Sequence, residues 1–185
     1  MRFYLKTKYL IYTALFAALT CISAFFKIPV PGFPFPITLQ VLFVILAGLI
    51  LPPKYALASQ ALYVVIGLIG IPVFSMGGGF GYVLQPSFGI LLGFIAAAFV
   101  IALIKKYVPI KRKFWLYLLA SCIGIIVIYL IGIPYMYMIL NFVLSKGLAF
   151  KYVAISYGLV FMPFDFIKAC IASYISFEVL KRVKI

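Results

Sequence analysis

The residues able to do chemistry in this chain gather in one short stretch, Met162-Pro163-Phe164-Asp165-Phe166-Ile167-Lys168-Ala169, with an acid and a base three positions apart inside an apolar run. Asp165 is one of only two acidic residues among 185, and the other, Glu178, stands beside Lys181 and Arg182 near the C-terminal end. On a helix, positions i and i+3 share a face, so Asp165 and Lys168 point the same way. Ionisable groups at membrane depth are costly, face the interior of a bundle, and mark functional sites by default. The competing reading is an ion pair that satisfies itself and pins helix packing.

Other polar groups stand near this pair in the expected topology. Gln40, in Pro36-Ile37-Thr38-Leu39-Gln40, is an amide that needs a partner from another helix or from a ligand. The connection from Pro72 to Tyr82 carries Gly77, Gly78, Gly79 and Gly81, which let a backbone approach a ligand closely. It lacks the Lys-Ser/Thr of a phosphate-binding loop, and a plain flexible turn is the alternative. Tyr82, Gln85 and Ser87 follow it as hydrogen-bonding side chains at the start of the fourth apolar run. Gln60 and Tyr63, on the third run, read as packing nearer the cytoplasmic side. Ala14 and Ala18 set small residues one turn apart on the first run, a face that serves an internal helix contact or a partner protein.

Catalysis finds little material here. The chain has no histidine, so no Ser-His-Asp or Cys-His arrangement exists, and two acids cannot build a multi-carboxylate metal site. No nucleotide-binding motif is present, and the reading is a non-enzyme without metal or cofactor. Cys21, Cys122 and Cys170 all lie within apolar runs and read as packing residues.

The elements that must hold these residues are helices in a bilayer. With 68% hydrophobic and 10% charged residues, the composition lies far from that of soluble domains. Six apolar runs emerge, at about Tyr9–Phe26, Ile37–Leu51, Tyr55–Ile71, Val83–Ile104, Phe114–Tyr137 and Tyr152–Val179. A span needs about 20 helical residues, so the second run is short and the last has room for an extramembrane turn at its start. The first run reads as a retained span, since Phe25-Phe26-Lys27-Ile28-Pro29 offers no small-residue cleavage site. The expected architecture is one all-α domain over residues 1–185 with six transmembrane helices.

Charge gives the orientation. With a cytoplasmic N-terminus, the inner side holds twelve Lys and Arg (Arg2, Lys6, Lys8, Lys54, Lys105, Lys106, Lys111, Arg112, Lys113, Lys181, Arg182, Lys184), against Lys27, Lys146 and Lys151 outside. Both termini are then cytoplasmic, in a multi-pass protein of the cell membrane. The net charge of +14 meets anionic lipid rather than nucleic acid, because it sits at the ends of the runs. The proline-rich loop from Lys27 to Pro36 and the glycine-rich loop both face outside, above Asp165 and Lys168.

In order and spacing the chain resembles the BioY family, the biotin-specific substrate-binding (S) components of energy-coupling factor (ECF) transporters. The resemblance rests on Pro36-Ile37-Thr38-Leu39-Gln40, on Gly67-Leu68-Ile69-Gly70-Ile71-Pro72-Val73-Phe74, and on the loop from Gly77 to Tyr82. Gly89-Ile90-Leu91-Leu92-Gly93-Phe94 and Pro163-Phe164-Asp165-Phe166-Ile167-Lys168-Ala169 complete it, so that it covers nearly the whole chain. It implies a compact bundle of six helices that binds biotin at its outer face. It also implies partners, a transmembrane T component and two ATPase subunits, with Ala14 and Ala18 resembling the docking signature for the T component. The ligand set it suggests is Gln40, Tyr82, Gln85, Asp165 and Lys168, under aromatic cover from Phe33, Phe35 and Phe80. Phe164 stands where the family usually has Gly, and Ser87-Phe88 where Thr-Gly is common; both departures are expected to alter the pocket wall more than its polar chemistry. Three other readings stand beside this one: an S component for another vitamin, a structural or assembly protein with an internal Asp-Lys pair, and a proton-coupled transporter working alone, which the single embedded acid and the lack of visible inverted repeats weaken.

Overall fold

The computed structural model describes residues 2–33, 35–108 and 113–182, with side chains from residue 7 onward, residue 159 apart. Lys111, Arg112 and Lys184 of the charge tally, the side chains of Arg2 and Lys6, and Pro34 of the proline-rich loop lie outside this description. The regular elements of the described chain are helices apart from a pair of two-residue strands: α1 (Arg2–Ser23), β1 (Lys27–Ile28), β2 (Ile37–Thr38), α2 (Gln40–Ile50), α3 (Pro53–Leu68), α4 (Phe88–Tyr107), α5 (Phe114–Met138) and α6 (Phe150–Arg182). Phe88–Tyr107, Phe114–Val143 and Val160–Arg182 are three stretches long and apolar enough to cross a membrane. Thr7–Ser23 and Gln40–Ile50 are shorter apolar helices.

The helices are apolar on their outer faces as well as inside. Leu10, Ile11, Leu15 and Ile22 on α1, and Trp115, Leu119, Ile126 and Leu130 on α5, are exposed large hydrophobics. Helices apolar all round are stable where the surroundings are lipid. Inside, Phe94, Ile101, Ile45, Leu49 and Ile128 are fully buried. The central helix α4 packs against α2, α3 and α5, while α6 closes the bundle against α5 and α2. Gly93 sets the α4–α5 distance, because a Cβ there would stand 2.9 Å from the Ile128 backbone.

Local chemistry explains the ends of the elements. Pro53 opens α3 at its first position, where a missing N–H costs nothing, and Pro52 in extended conformation (ψ 154°) turns the chain back on α2. At 11 residues α2 is only about 16 Å long and starts at Gln40, after the proline-rich loop, so it is shorter than the roughly 30 Å of a bilayer core. The fourth run starts late. Residues Phe80–Leu84 form a tight 3₁₀ turn, and α4 begins only at Phe88. The sixth run lies in one continuous helix, α6, from Phe150, with Pro163 inside it; its stretch long and apolar enough to cross a membrane is Val160–Arg182.

The proline-rich and glycine-rich loops are ordered by different means. The proline-rich loop is a hairpin, β1 pairing antiparallel with β2 through Lys27–Thr38 and Ile28–Ile37. Its Phe33 and Phe35 clasp α6, with ring centroids 5.3 and 5.5 Å (Phe33) and 5.7 and 4.8 Å (Phe35) from Tyr157 and Phe161. The glycine-rich loop folds onto the end of α3. Phe74 lies over Gly67, where any Cβ would collide with its ring, and the Gly79 amide donates to the Gly67 carbonyl at 2.7 Å. Gly79 itself adopts φ 98°, open to glycine and strained for other residues. Lys27 Nζ donates to the Ser75 carbonyl at 3.1 Å and joins the two loops.

Candidate functional site

Beneath the hairpin lies a cavity between α2, α4, α5 and α6. Phe35 and Pro36 of the hairpin and Tyr157 and Phe161 of α6 roof it, and Ile90, Phe94, Ile128 and Met136 wall it. Its polar lining is sparse: Thr38, Gln40, Ser75, Ser87, Tyr129, Asp165 and Lys168. A mostly apolar pocket with a few converging polar groups is the usual form of a small-molecule site.

The deepest polar feature is an ion pair with a third member. Lys168 Nζ donates to Asp165 Oδ1 at 2.7 Å, and the Tyr129 hydroxyl donates to Asp165 Oδ2 at 2.7 Å. The i,i+3 spacing on α6 brings the first two together, and α5 supplies the third from across the interface. Both carboxylate oxygens are thus engaged, and the charge is balanced within the group. A buried pair breaks even against its desolvation only when further hydrogen bonds complete it, which is Tyr129's contribution here. Each carboxylate oxygen keeps capacity for another donor, and the Lys168 ammonium has three N–H groups of which one is used by Asp165.

Gln40 is buried at the start of α2 and held from both ends of its amide. Its Oε1 accepts from Thr38 Oγ1 at 3.0 Å, and its Nε2 donates to the Tyr63 hydroxyl on α3. Tyr63 is therefore a polar partner of the site rather than inner-side packing. Gln60 remains a packing residue, its amide donating at 3.2 Å to Ser59 and at 3.4 Å to Thr20. Tyr82 is buried but does not line the cavity. Its hydroxyl lies 3.0 Å from Ser87 Oγ and 3.4 Å from Ser75 Oγ, two hydroxyls that do line it.

Other expected positions lie elsewhere. Gln85 is exposed and outside the cavity lining, because the extended residue between the 3₁₀ turn and α4 (φ −86°, ψ 139°) turns its side chain away. Phe80 is 79% exposed and covers nothing, whereas Phe35 roofs the cavity and Phe33 packs against the roofing rings of Tyr157 and Phe161 without lining it. Phe164 is 44% exposed on the outer face of α6, so this departure from the family pattern leaves the cavity wall untouched; Ser87 does line the cavity. Ala14 and Ala18 are exposed on α1, so their face is not an internal helix contact. The cysteines are free thiols, Cys21 buried and Cys122 and Cys170 partly so.

Tyr129, Tyr157, Phe161 and Ser75 are cavity residues that sequence reasoning did not single out. A tyrosine hydroxyl amid the apolar α5 run needs a partner just as an amide does, and that argument alone would have raised Tyr129. Tyr63 had a signal too. It lies about as far after the Pro52 turn as Gln40 lies before it, and antiparallel neighbours at equal distances from a tight turn meet.

Fold and cavity together define a multi-pass helical membrane protein with a lidded, ion-paired chamber. The chain belongs to the BioY family, whose model matches residues 1–185. A probable biotin transporter BioY of Lysinibacillus sphaericus is 46% identical over 150 residues, 80% of this chain and 74% of the relative. The biotin transporter BioY of Thermotoga maritima is 37% identical over 178 residues, 95% of this chain and 97% of the relative. A crystal structure of the S-component for biotin from an ECF-type ABC transporter matches with a TM-score of 0.86 at 30% identity, covering 96% of this chain and 93% of that one.

Proposed function

We propose that this chain is the S component of an ECF-type transporter, that it captures biotin at the outer face of the cell membrane, and that an ATP-driven module completes uptake. The observation that carries the reading is the Asp165–Lys168–Tyr129 group at the base of a cavity roofed by aromatic rings. Biotin offers a ureido ring with two N–H donors and a carbonyl, an apolar sulfur ring and an acidic tail. Asp165 accepts from a ureido N–H, and Lys168 donates to the carbonyl or the carboxylate. Gln40 and the Ser87 hydroxyl, steadied by Tyr63 and Tyr82, supply the remaining polar contacts. Phe35, Tyr157 and Phe161 exclude water from the sulfur ring. Biotin is cargo, and the protein needs no cofactor of its own.

The same reading gives the chain one domain with six membrane crossings and both termini in the cytoplasm, the short α2 and α3 completing the count. Its partners are a transmembrane T component and two ATPase subunits. The outward Ala14 and Ala18 support docking on α1, because small residues let a partner helix approach closely. Isothermal titration of the purified protein tests the substrate: biotin is expected to bind tightly, and binding of another vitamin in its place would overturn the assignment. A purely structural role has one observation in its favour, since Tyr129 and Lys168 together already engage both Asp165 oxygens. That role requires substitutions of Asp165 to impair folding and leave the biotin affinity of the folded fraction unchanged.

A further inference from the structure

At the opposite end of the bundle, where α4 ends and α3 begins, lies a second pocket of about 560 Å³. Lys54, Lys105 and Lys106 surround it. Lys105 reaches inward, donating to the carbonyls of Ile50 at 2.7 Å and Leu51 at 3.1 Å, and so caps the C-terminal end of α2. Lys106 lies over the Tyr107 ring, 4.9 Å from its centroid, and Lys54 is exposed at the rim. No carboxylate lines the pocket.

Neither acidic side chain of this sequence neutralises these lysines. Both are occupied at a distance from this pocket: Asp165 holds Lys168 at 2.7 Å, and Glu178 holds Lys181 at 2.8 Å and Arg182 at 3.6 Å. Among the described residues no acidic side chain supplies a counter-charge to the three lysines, which leaves the pocket suited to an anion from another molecule. The remaining walls say which kind. Ile50, Phe99 and Leu103 make the pocket apolar below the lysines, and Tyr9 and Tyr55 pair at its edge with centroids 5.1 Å apart. Tyrosines collect at headgroup depth, where an apolar ring meets a wet hydroxyl, and inner-side basic pockets between helices suit anionic headgroups.

We infer that this pocket holds the headgroup of an anionic phospholipid of the cytoplasmic leaflet, the phosphate against Lys54, Lys105 and Lys106 and the upper acyl chain along Phe99 and Leu103. The inference rests on the orientation in which the lysine-rich end is cytoplasmic, and it is independent of which vitamin the outer cavity takes.

Native mass spectrometry of the full chain exchanged into phosphatidylglycerol or phosphatidylcholine is the test. Wild-type protein is expected to retain phosphatidylglycerol at least about tenfold more strongly, and Lys54→Gln with Lys106→Gln to remove most of that preference. Unimpaired biotin binding certifies that the double variant is folded; should it not fold, Lys54→Gln alone is expected to lower the preference measurably. Three results overturn the proposal: equal retention of both lipids by the wild type, an unchanged preference in the variants, or full displacement of phosphatidylglycerol by millimolar inorganic phosphate. An unchanged lipid preference accompanied by loss of association with the transport module would assign the lysines to a protein partner instead.

Discussion

Helix α6 carries two acid–lysine pairs with the same spacing and nearly the same length: Asp165–Lys168 at 2.7 Å and Glu178–Lys181 at 2.8 Å, both i,i+3. Their surroundings differ. The side chains of the first pair are 9% exposed each, face a cavity and share a tyrosine from α5. In the second, lysine and glutamate are 49% and 31% exposed, at the end of the helix beside Arg182. Spacing makes a pair. Burial, a third donor and an adjoining cavity make that pair able to respond to a ligand, since only there does losing a partner leave a charge that water cannot screen.

The sharpest way to break the comparison is to remove the buried acid. Asp165→Ala strands the Lys168 ammonium among apolar walls and is expected to cost about 3–5 kcal/mol of stability, read as a lowered Tm in detergent, and to abolish biotin binding. Replacing both members, Asp165→Asn with Lys168→Met, is expected to restore much of the Tm while binding stays absent. Persisting affinity in that double variant would return the pair to a packing role. Next in size, Lys168→Met is expected to weaken biotin binding at least about tenfold, or about 1.4 kcal/mol, measured by titration calorimetry. Tyr129→Phe removes one hydrogen bond and leaves the ion pair standing, so a loss of roughly fivefold in affinity is expected. The smallest effect belongs to the exposed twin. Glu178→Gln is expected to leave biotin affinity and Tm unchanged, and a clear loss of binding there would show that the two pairs communicate along α6.

Much of this contrast is legible in the sequence because a bilayer makes charge conspicuous. A chain with two acids declares the one inside an apolar run, and i,i+3 spacing then supplies its partner. Helix positions are legible for the same reason: the fifth run, Phe114–Tyr137, differs from α5 by one residue at its C-terminal end. Hydropathy fails where an apolar segment is not helical. Val83 and Leu84 belong to a 3₁₀ turn behind a glycine at φ 98°, and nothing in their side chains separates them from the helix that follows. That shift of the α4 start explains the outward Gln85, whose placement depends on one backbone residue rather than on helical periodicity. Tyr129 escaped notice because tyrosine counts as apolar in composition, although its hydroxyl must be satisfied.

The bond from Lys27 to the Ser75 carbonyl, 3.1 Å long, has a kinetic meaning. It couples the hairpin that roofs the cavity to the loop that contributes Ser75 to its wall, so a motion that lifts the roof also pulls on the wall. Lifting the roof then has to break this one hydrogen bond, worth about 1 kcal/mol, or carry the neighbouring loop with it, which lengthens the residence of a bound molecule modestly. Severing the tie with Lys27→Met is expected to speed entry and exit alike, with stopped-flow rates rising while the equilibrium constant moves little. For a chain that captures biotin as proposed, how long the roof stays closed matters as much as how tightly the chamber binds.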